Sequence, residues 1–336
     1  MKTLVVGGSG FLGGAIANAA LAAGHDVTVL CRNQPARPDV NHLAANRLHA
    51  LDHLPAADFD FVFDTCAYTP GAISNVLRWA GPRLQRYVLI SSISVYRDCS
   101  QQPSEDDSIP DASHKDLDVA RKFEASGDFA AFGDWSSYGP LKRACEAEAE
   151  RFLGSRAISL RAGLLIGPGD RVDRLAWWVR RMDLGGVVPV PAPPGRPVQL
   201  IDIRDVAKFT LRLILSGASG SFNTTSLPFT IESLLDTIAG LCPAPATPRW
   251  IDERRFLEAG VKPWTDVPYW LPQSGDTRCF LDVSVTRAFQ SGLVTRPLRE
   301  GERDKCIEVG QHAGGRRGRH AGRVACLDLA LVIDPV

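Results

Sequence analysis

The 336-residue sequence is 45% hydrophobic and 23% charged, so it can bury a core without metal or disulfide staples. Lys plus Arg and Asp plus Glu number 38 each, which excludes a global field directed at nucleic acid or an anionic membrane. Eight scattered cysteines, with no Cys-x-x-Cys pair and no histidine at metal-ligand spacing, read as buried reduced thiols, so no metal is expected.

In chain order, short β-rich runs alternate with helical segments, the pattern of a parallel sheet covered on both faces. Strands are expected over Thr3–Val6, Val27–Leu30, Phe59–Phe63, Tyr87–Ile90 and Ala157–Leu160, with a further strand-like run at Arg47–Leu51. A helix is expected from Phe11 to about Ala23, because Leu12, Ile16, Ala19, Ala20 and Ala23 recur at helical spacing. Gly24 then stands where a C-terminal cap is wanted. The acidic stretch from Asp98 to Trp135 reads as a long surface loop with one short helix. Beyond Pro168 five prolines between Pro189 and Pro197 interrupt the pattern, with helices expected at Arg174–Met182, Asp205–Ser216 and Ile231–Leu241.

The expected fold class is therefore α/β, a Rossmann-type doubly wound parallel sheet with a smaller, irregular C-terminal substrate lobe. Residues 1–167 form the dinucleotide-binding unit and 168–305 mainly the substrate lobe, with some segments returning to the sheet. Residues 306–336 form an atypical tail, whose Gly- and Arg-rich run from Gly310 to Arg323 reads as disordered. No apolar stretch is long enough to span a bilayer and no signal-peptide layout precedes the first strand, so the expected location is cytoplasmic.

Between the first strand and helix stand Gly7, Gly8, Ser9, Gly10, Phe11, Leu12 and Gly13. Glycines in such a turn let the backbone approach a pyrophosphate, and the helix N-terminus offers free N–H groups and partial positive charge. At the end of the second strand an acidic residue would bond the ribose 2′-hydroxyl of NAD. Here Cys31 takes that place and Arg32 follows, which favours NADP over NAD. Asp52 is a candidate acceptor for the adenine amino group, or a capping residue of an unrelated loop.

Tyr138 and Lys142 stand one helical turn apart, and Pro140 is tolerable only in a first turn, which puts Tyr138 at the helix mouth. A phenol is a poor proton donor or acceptor at neutrality unless a nearby ammonium favours its ionised form. The run from Tyr87 to Tyr96 is an apolar strand ending in serines, where ligands bind in open α/β sheets.

Together these elements resemble the short-chain dehydrogenase/reductase superfamily, in its extended, epimerase-like branch. The likeness includes isoflavone-reductase-like and epimerase/dehydratase bacterial members. It covers residues 1–240 well and 241–300 loosely, and adds the Leu200–Ala207 run and Phe222-Asn223. The resemblance implies that Tyr138 is the acid/base and that Ser92, four residues before Tyr96, orients a carbonyl. It implies that Lys142 binds the nicotinamide ribose and favours the ionised form of Tyr138. Cys66, within Asp64-Thr65-Cys66-Ala67, falls in the stretch that lines the cofactor ribose, where the family often has His at position 64.

Two departures bear on substrate. Where nucleotide-sugar epimerases carry an Asn and an Arg that grip the diphosphate, this chain has Leu164 and Val198, with Arg196 offset by two. A less charged substrate is implied. Trp177, Trp178, Trp264 and Trp270 are candidates for an apolar pocket, with core packing as the competing role.

The expected function is NAD(P)H-dependent oxidation or reduction of a carbonyl, carbinol or conjugated double bond in a small, fairly apolar molecule. An NAD-dependent epimerase or dehydratase is the alternative. A non-catalytic dinucleotide-sensing or RNA-binding protein is the further one. The expected partner is a small-molecule substrate, with no membrane or nucleic acid, and a homodimer is possible.

Overall fold

The computed structural model describes residues 1–32, 37–56, 58–80, 83–273 and 275–297. The tail read as disordered lies outside the described residues. The chain begins β1 (Lys2–Val6), α1 (Phe11–Ala22), β2 (Asp26–Cys31), β3 (Asn41–Ala44), β4 (Phe61–Asp64), α2 (Pro70–Ala80) and β5 (Arg86–Ser92). Next come α3 (His114–Ser126), α4 (Tyr138–Leu153), β6 (Ala157–Ala162), β7 (Leu164–Ile166), α5 (Arg174–Asp183) and β8 (Gly186–Pro191). They are followed by β9 (Pro197–Val198), β10 (Leu200–Asp202), α6 (Ile203–Leu215) and β11 (Gly220–Thr224). The described chain ends with β12 (Phe229–Thr230), α7 (Ile231–Ala239), β13 (Ala246–Ile251), α8 (Glu253–Glu258) and α9 (Thr286–Gln290).

Seven strands form one sheet in the order β11-β6-β5-β4-β1-β2-β3, and every pairing in it is parallel. This is the Rossmann-type α/β architecture that the alternation implies. Successive side chains of a strand point to opposite faces, so a sheet covered twice needs apolar residues at both parities. Val5, Phe61, Phe63, Val88 and Ile90 pack on the face of α1 and α6. Leu4, Val6, Val62, Tyr87 and Leu89 pack on the face of α2 and α4. The strand order reverses at β1, between β2 and β4, and the crevice at such a point is where these sheets bind ligands.

A further apolar cluster joins α5, α7, β8 and the Phe256–Trp270 region to Ile93, Val95 and Tyr96 just after β5. The proline-rich segment, paired within its own part as β8–β13 and β9–β12, packs through this cluster on the turn after β5.

Two expectations about local structure are corrected. Arg47–Leu51 is not a strand: the third strand is Asn41–Ala44, paired with β2. Arg47 is instead drawn into the interior by a carboxylate, as described below. The stretch from Asp98 to Trp135 is more ordered than a loop with one short helix. It contains the thirteen-residue α3, started by a capping box in which Ser113 and Asp116 satisfy each other's backbone N–H and ended by Gly127 at φ 66°. A 3₁₀ turn, Phe129–Phe132, follows it. Of the four tryptophans considered for a pocket, Trp178 and Trp270 are fully buried, and Trp177 and Trp264 pack partly buried on the same cluster.

Candidate active site

The glycine turn is a cradle that side chains would fill. Gly7 has φ 82°, and a Cβ there would lie 2.7 Å from Thr65 Oγ1 and 2.9 Å from Cys66 Sγ. A Cβ at Gly13 would collide with the carbonyl oxygen of Gly7, so α1 can start this close to β1 only with glycine there. Gly8 is buried against Val29, Ser9 and Gly10 are exposed at the rim, Phe11 is half-buried and Leu12 is buried. Gly10, just before α1, offers no side-chain cap to the first-turn N–H groups, which have no partner within the helix. An open cradle with uncapped amides fits a pyrophosphate.

Lys142 is buried and its ammonium donates to Ala67 O at 2.9 Å and Ile90 O at 2.5 Å. One side chain thereby ties the loop after β4 to the end of β5. An ammonium has three N–H donors, and these bonds account for two. Nζ also stands 5.9 Å from the centre of the Tyr68 ring. Tyr138 is the first residue of α4, half-buried, with Pro140 in the first turn as its ring requires. The start of α4 abuts the turn after β5: a Cβ on Gly139 would overlap the carbonyl oxygen of Ser94. Ser92 ends β5 and caps that turn, its Oγ accepting from Ser94 N at 3.1 Å and donating to Ser94 Oγ at 3.0 Å. Ser92 on β5 and the pair Tyr138 and Lys142 on α4 thus meet at the carboxyl edge of β5.

The remaining candidates are placed as follows. Cys66 is half-buried behind Gly7, and burial pushes its thiol up, opposed by the Arg47 guanidinium. Arg32 is exposed directly after β2, while Cys31 Sγ lies 3.3 Å from His42 Nε2 on β3. Asp52 is exposed in a turn, not at the end of a strand. Arg196 is buried, donating to Ala192 O at 2.5 Å and to Glu253 at 3.1 Å. Burial brings its guanidinium down to about 10, with Glu253 opposing.

The roles of some residues that shape this edge escaped the sequence reading. Asp64, fully buried at the end of β4, is ion-paired with Arg47 and accepts from Tyr87 OH at 2.5 Å. Arg47 also donates to Ala72 O at 2.8 Å at the start of α2. Burial works against the Arg47 charge, yet the Asp64 carboxylate holds it well above its ordinary pKa. Tyr68 packs 6.2 Å from Tyr138, ring to ring, and burial together with Tyr138 raises its phenol to about 12. Neither signal was available from spacing, since Arg47 and Tyr68 sit outside any motif.

A second concavity, a polar cleft of about 400 Å³, lies away from the glycine turn, lined by Glu105, Arg143, Glu150, Arg161 and Arg287. Arg161 there is a brace: it holds Glu146 through two bonds of 3.1 and 2.9 Å and Tyr96 OH at 3.0 Å. Among the described residues no group of three or more His, Cys, Asp or Glu could hold a metal ion, and no helix is long and apolar enough to cross a membrane.

Residues 3–73, which span β1 to the start of α2, match the model of the NAD dependent epimerase/dehydratase family. Over most of its length the chain is similar in fold to solved epimerase structures. UDP-N-acetylglucosamine 4-epimerase from Bacillus cereus superposes with a TM-score of 0.63 at 17% identity, over 95% of this chain and 98% of that one. A variant of UDP-glucuronic acid 4-epimerase from Bacillus cereus, with a fluorinated UDP-sugar and NAD, gives 0.65 at 15% identity over 93% and 99%. UDP-glucose 4-epimerase from Thermus thermophilus, in complex with NAD, gives 0.59 at 15% identity over 92% and 99%. At these identities the likeness is one of fold. No curated protein sequence matches the chain.

Proposed function

We infer that the protein is an NAD(P)-dependent enzyme of the short-chain dehydrogenase/reductase type that oxidises or reduces a small carbonyl or carbinol compound, or reduces a conjugated double bond. The observation that carries this reading is the buried Lys142 ammonium, clamped to Ala67 O and Ile90 O one helical turn from Tyr138. A buried cation is costly, and one set a helical turn from a phenol at a helix mouth suits proton transfer there.

In this reading Gly7 to Gly13, with the first-turn amides of α1, hold the pyrophosphate. Cys66 lines the ribose, Asp52 meets the adenine, and Arg32 takes a 2′-phosphate, which favours NADP over NAD. When bound, the nicotinamide supplies or takes up the hydride. Tyr138 passes its phenolic proton to the substrate oxygen in the reducing direction and recovers it in the other. Ser92, whose hydroxyl proton can turn from Ser94 Oγ towards the site, donates to the same oxygen as charge builds on it. Lys142 keeps its two backbone bonds and directs its third N–H to the nicotinamide ribose.

Tyr138→Phe is expected to abolish turnover while NADPH still binds, measured by fluorescence titration beside a carbonyl-dependent absorbance assay. Full retained turnover would sink the assignment. In the same titration on the parent protein, NADH binding as tightly as NADPH would remove the role given to Arg32. An epimerase or dehydratase reading is favoured by the family match over 3–73. Nucleotide released from the purified protein by denaturation, without net consumption during turnover, would establish it over the first.

A further inference from the structure

One aromatic side chain stands apart from the rest. Of the seven tryptophans, Trp79, Trp178 and Trp270 are buried and Trp177, Trp250 and Trp264 are partly buried, whereas Trp135 is 47% exposed. Trp135 also has φ 64°, a conformation that any residue with a Cβ adopts at a cost. It is held there by the hydrogen bonds Trp135 N to Phe132 O, at 2.9 Å, and Tyr138 N to Trp135 O, at 3.0 Å. The second of these closes the turn that leads into α4. The backbone that presents Tyr138 therefore presents the indole too, 6.0 Å from the Tyr138 ring.

The indole is part of a layered stack. Its plane lies within 16° of Phe132 at 5.0 Å and within 18° of Phe129 at 5.8 Å. Phe132 is buried and backed by buried Phe123 at 5.3 Å, so the stack has a rigid base, while Phe129 is 40% exposed. Partly exposed, stacked rings next to a phenol at a helix mouth suit a planar partner, since aromatic pairs gain energy from offset stacking beyond their buried area. A diphosphate would instead need cationic forks. Arg196, the arginine nearest in sequence to that task, is buried against Glu253.

We propose that Trp135, flanked by Phe129, is the wall against which the substrate lies, and that the compound acted on at Tyr138 carries a planar aromatic ring next to its reacting carbon. The inference rests on the assignment of Tyr138 above. It deepens that assignment by naming a substrate class, aryl carbonyls or the corresponding alcohols.

The test uses two ketones of nearly equal size, acetophenone and cyclohexyl methyl ketone, with UDP-glucose as a third ligand. Each is titrated calorimetrically into the full-length Tyr138→Phe protein saturated with NADPH, so that no turnover occurs. Acetophenone is expected to bind about tenfold more tightly than the cyclohexyl ketone, a stacking-sized difference. Adding Trp135→Gly should erase that preference. Glycine takes a positive φ freely, so this variant removes the ring and keeps the backbone that presents Tyr138 unstrained, and circular dichroism should show the fold intact. Phe129→Leu provides a second, milder variant, expected to lower the preference in part. Equal binding of the two ketones, absence of acetophenone binding, or tighter binding of UDP-glucose would each overturn the inference. So would a preference that survives Trp135→Gly. None of these outcomes bears on whether Tyr138→Phe loses turnover, so the two readings fail separately.

Discussion

Lys142 and Arg47 are both buried cations, and they differ in what answers their charge. Lys142 has two carbonyl dipoles and an aromatic face; Arg47 has a full carboxylate, Asp64, itself completely buried. Removing one member of a buried pair strands the other. Arg47→Met should therefore cost about 3–5 kcal/mol of stability. The measurement is denaturant unfolding, and Arg47→Met/Asp64→Asn should recover part of the loss because the amide no longer needs a cation. An Arg47→Met protein as stable as the parent would show the pair to be unimportant. Lys142→Met should weaken NADPH binding and lower turnover about 10²-fold or more, in line with the usual worth of an acid–base group's support. Titration and steady-state kinetics on one preparation separate the two effects.

The start of α4 is set by the close approach of Gly139 to Ser94 O, which a methyl group would prevent. Gly139→Ala should push the helix mouth from the end of β5, costing roughly 1–3 kcal/mol as overpacking does. It should cost turnover more than it costs stability, because Tyr138 moves relative to Ser92. If kcat holds while the melting temperature falls, the contact serves packing alone. Helix α3 offers a contrast. Its capping box is a local device, so Ser113→Ala should lower stability by about 1 kcal/mol and leave NADPH affinity unchanged. The position of α4 was only half legible in the sequence. Pro140 identified the first turn, but nothing in the spacing identified what the glycine touches.

Across the whole molecule, burial of thiols and phenols gives a common pH response. Burial raises Cys99 and Cys145 from 9.0, and Tyr68 and Tyr96 from 10.0, each to about 12. All four are neutral at pH 7 in either state. As pH passes 9 the unfolded chain gives up these protons first, which favours unfolding. Stability should hold from neutrality to about pH 9 and then decline as pH climbs towards 12. Melting temperatures followed by circular dichroism from pH 7 to 11 test this. Cys99→Ala/Cys145→Ala should flatten the portion that begins near pH 9, and an unchanged decline would assign it elsewhere.

By itself the sequence determined the Rossmann-type sheet, because strands buried on both faces must be continuously apolar and the glycine turn must follow the first of them. The same local logic placed α1 and the first turn of α4, and the family likeness named Ser92, Tyr138 and Lys142. It misread Arg47–Leu51 as strand-like, since an apolar alternation carries no sign that its arginine will turn inward to Asp64, seventeen positions on. It also looked for an apolar wall among Trp177, Trp178, Trp264 and Trp270, two of which are full members of the core. Only the tertiary structure decided that Trp135 is the exposed indole beside Tyr138, because exposure is a property of what the rest of the chain leaves uncovered.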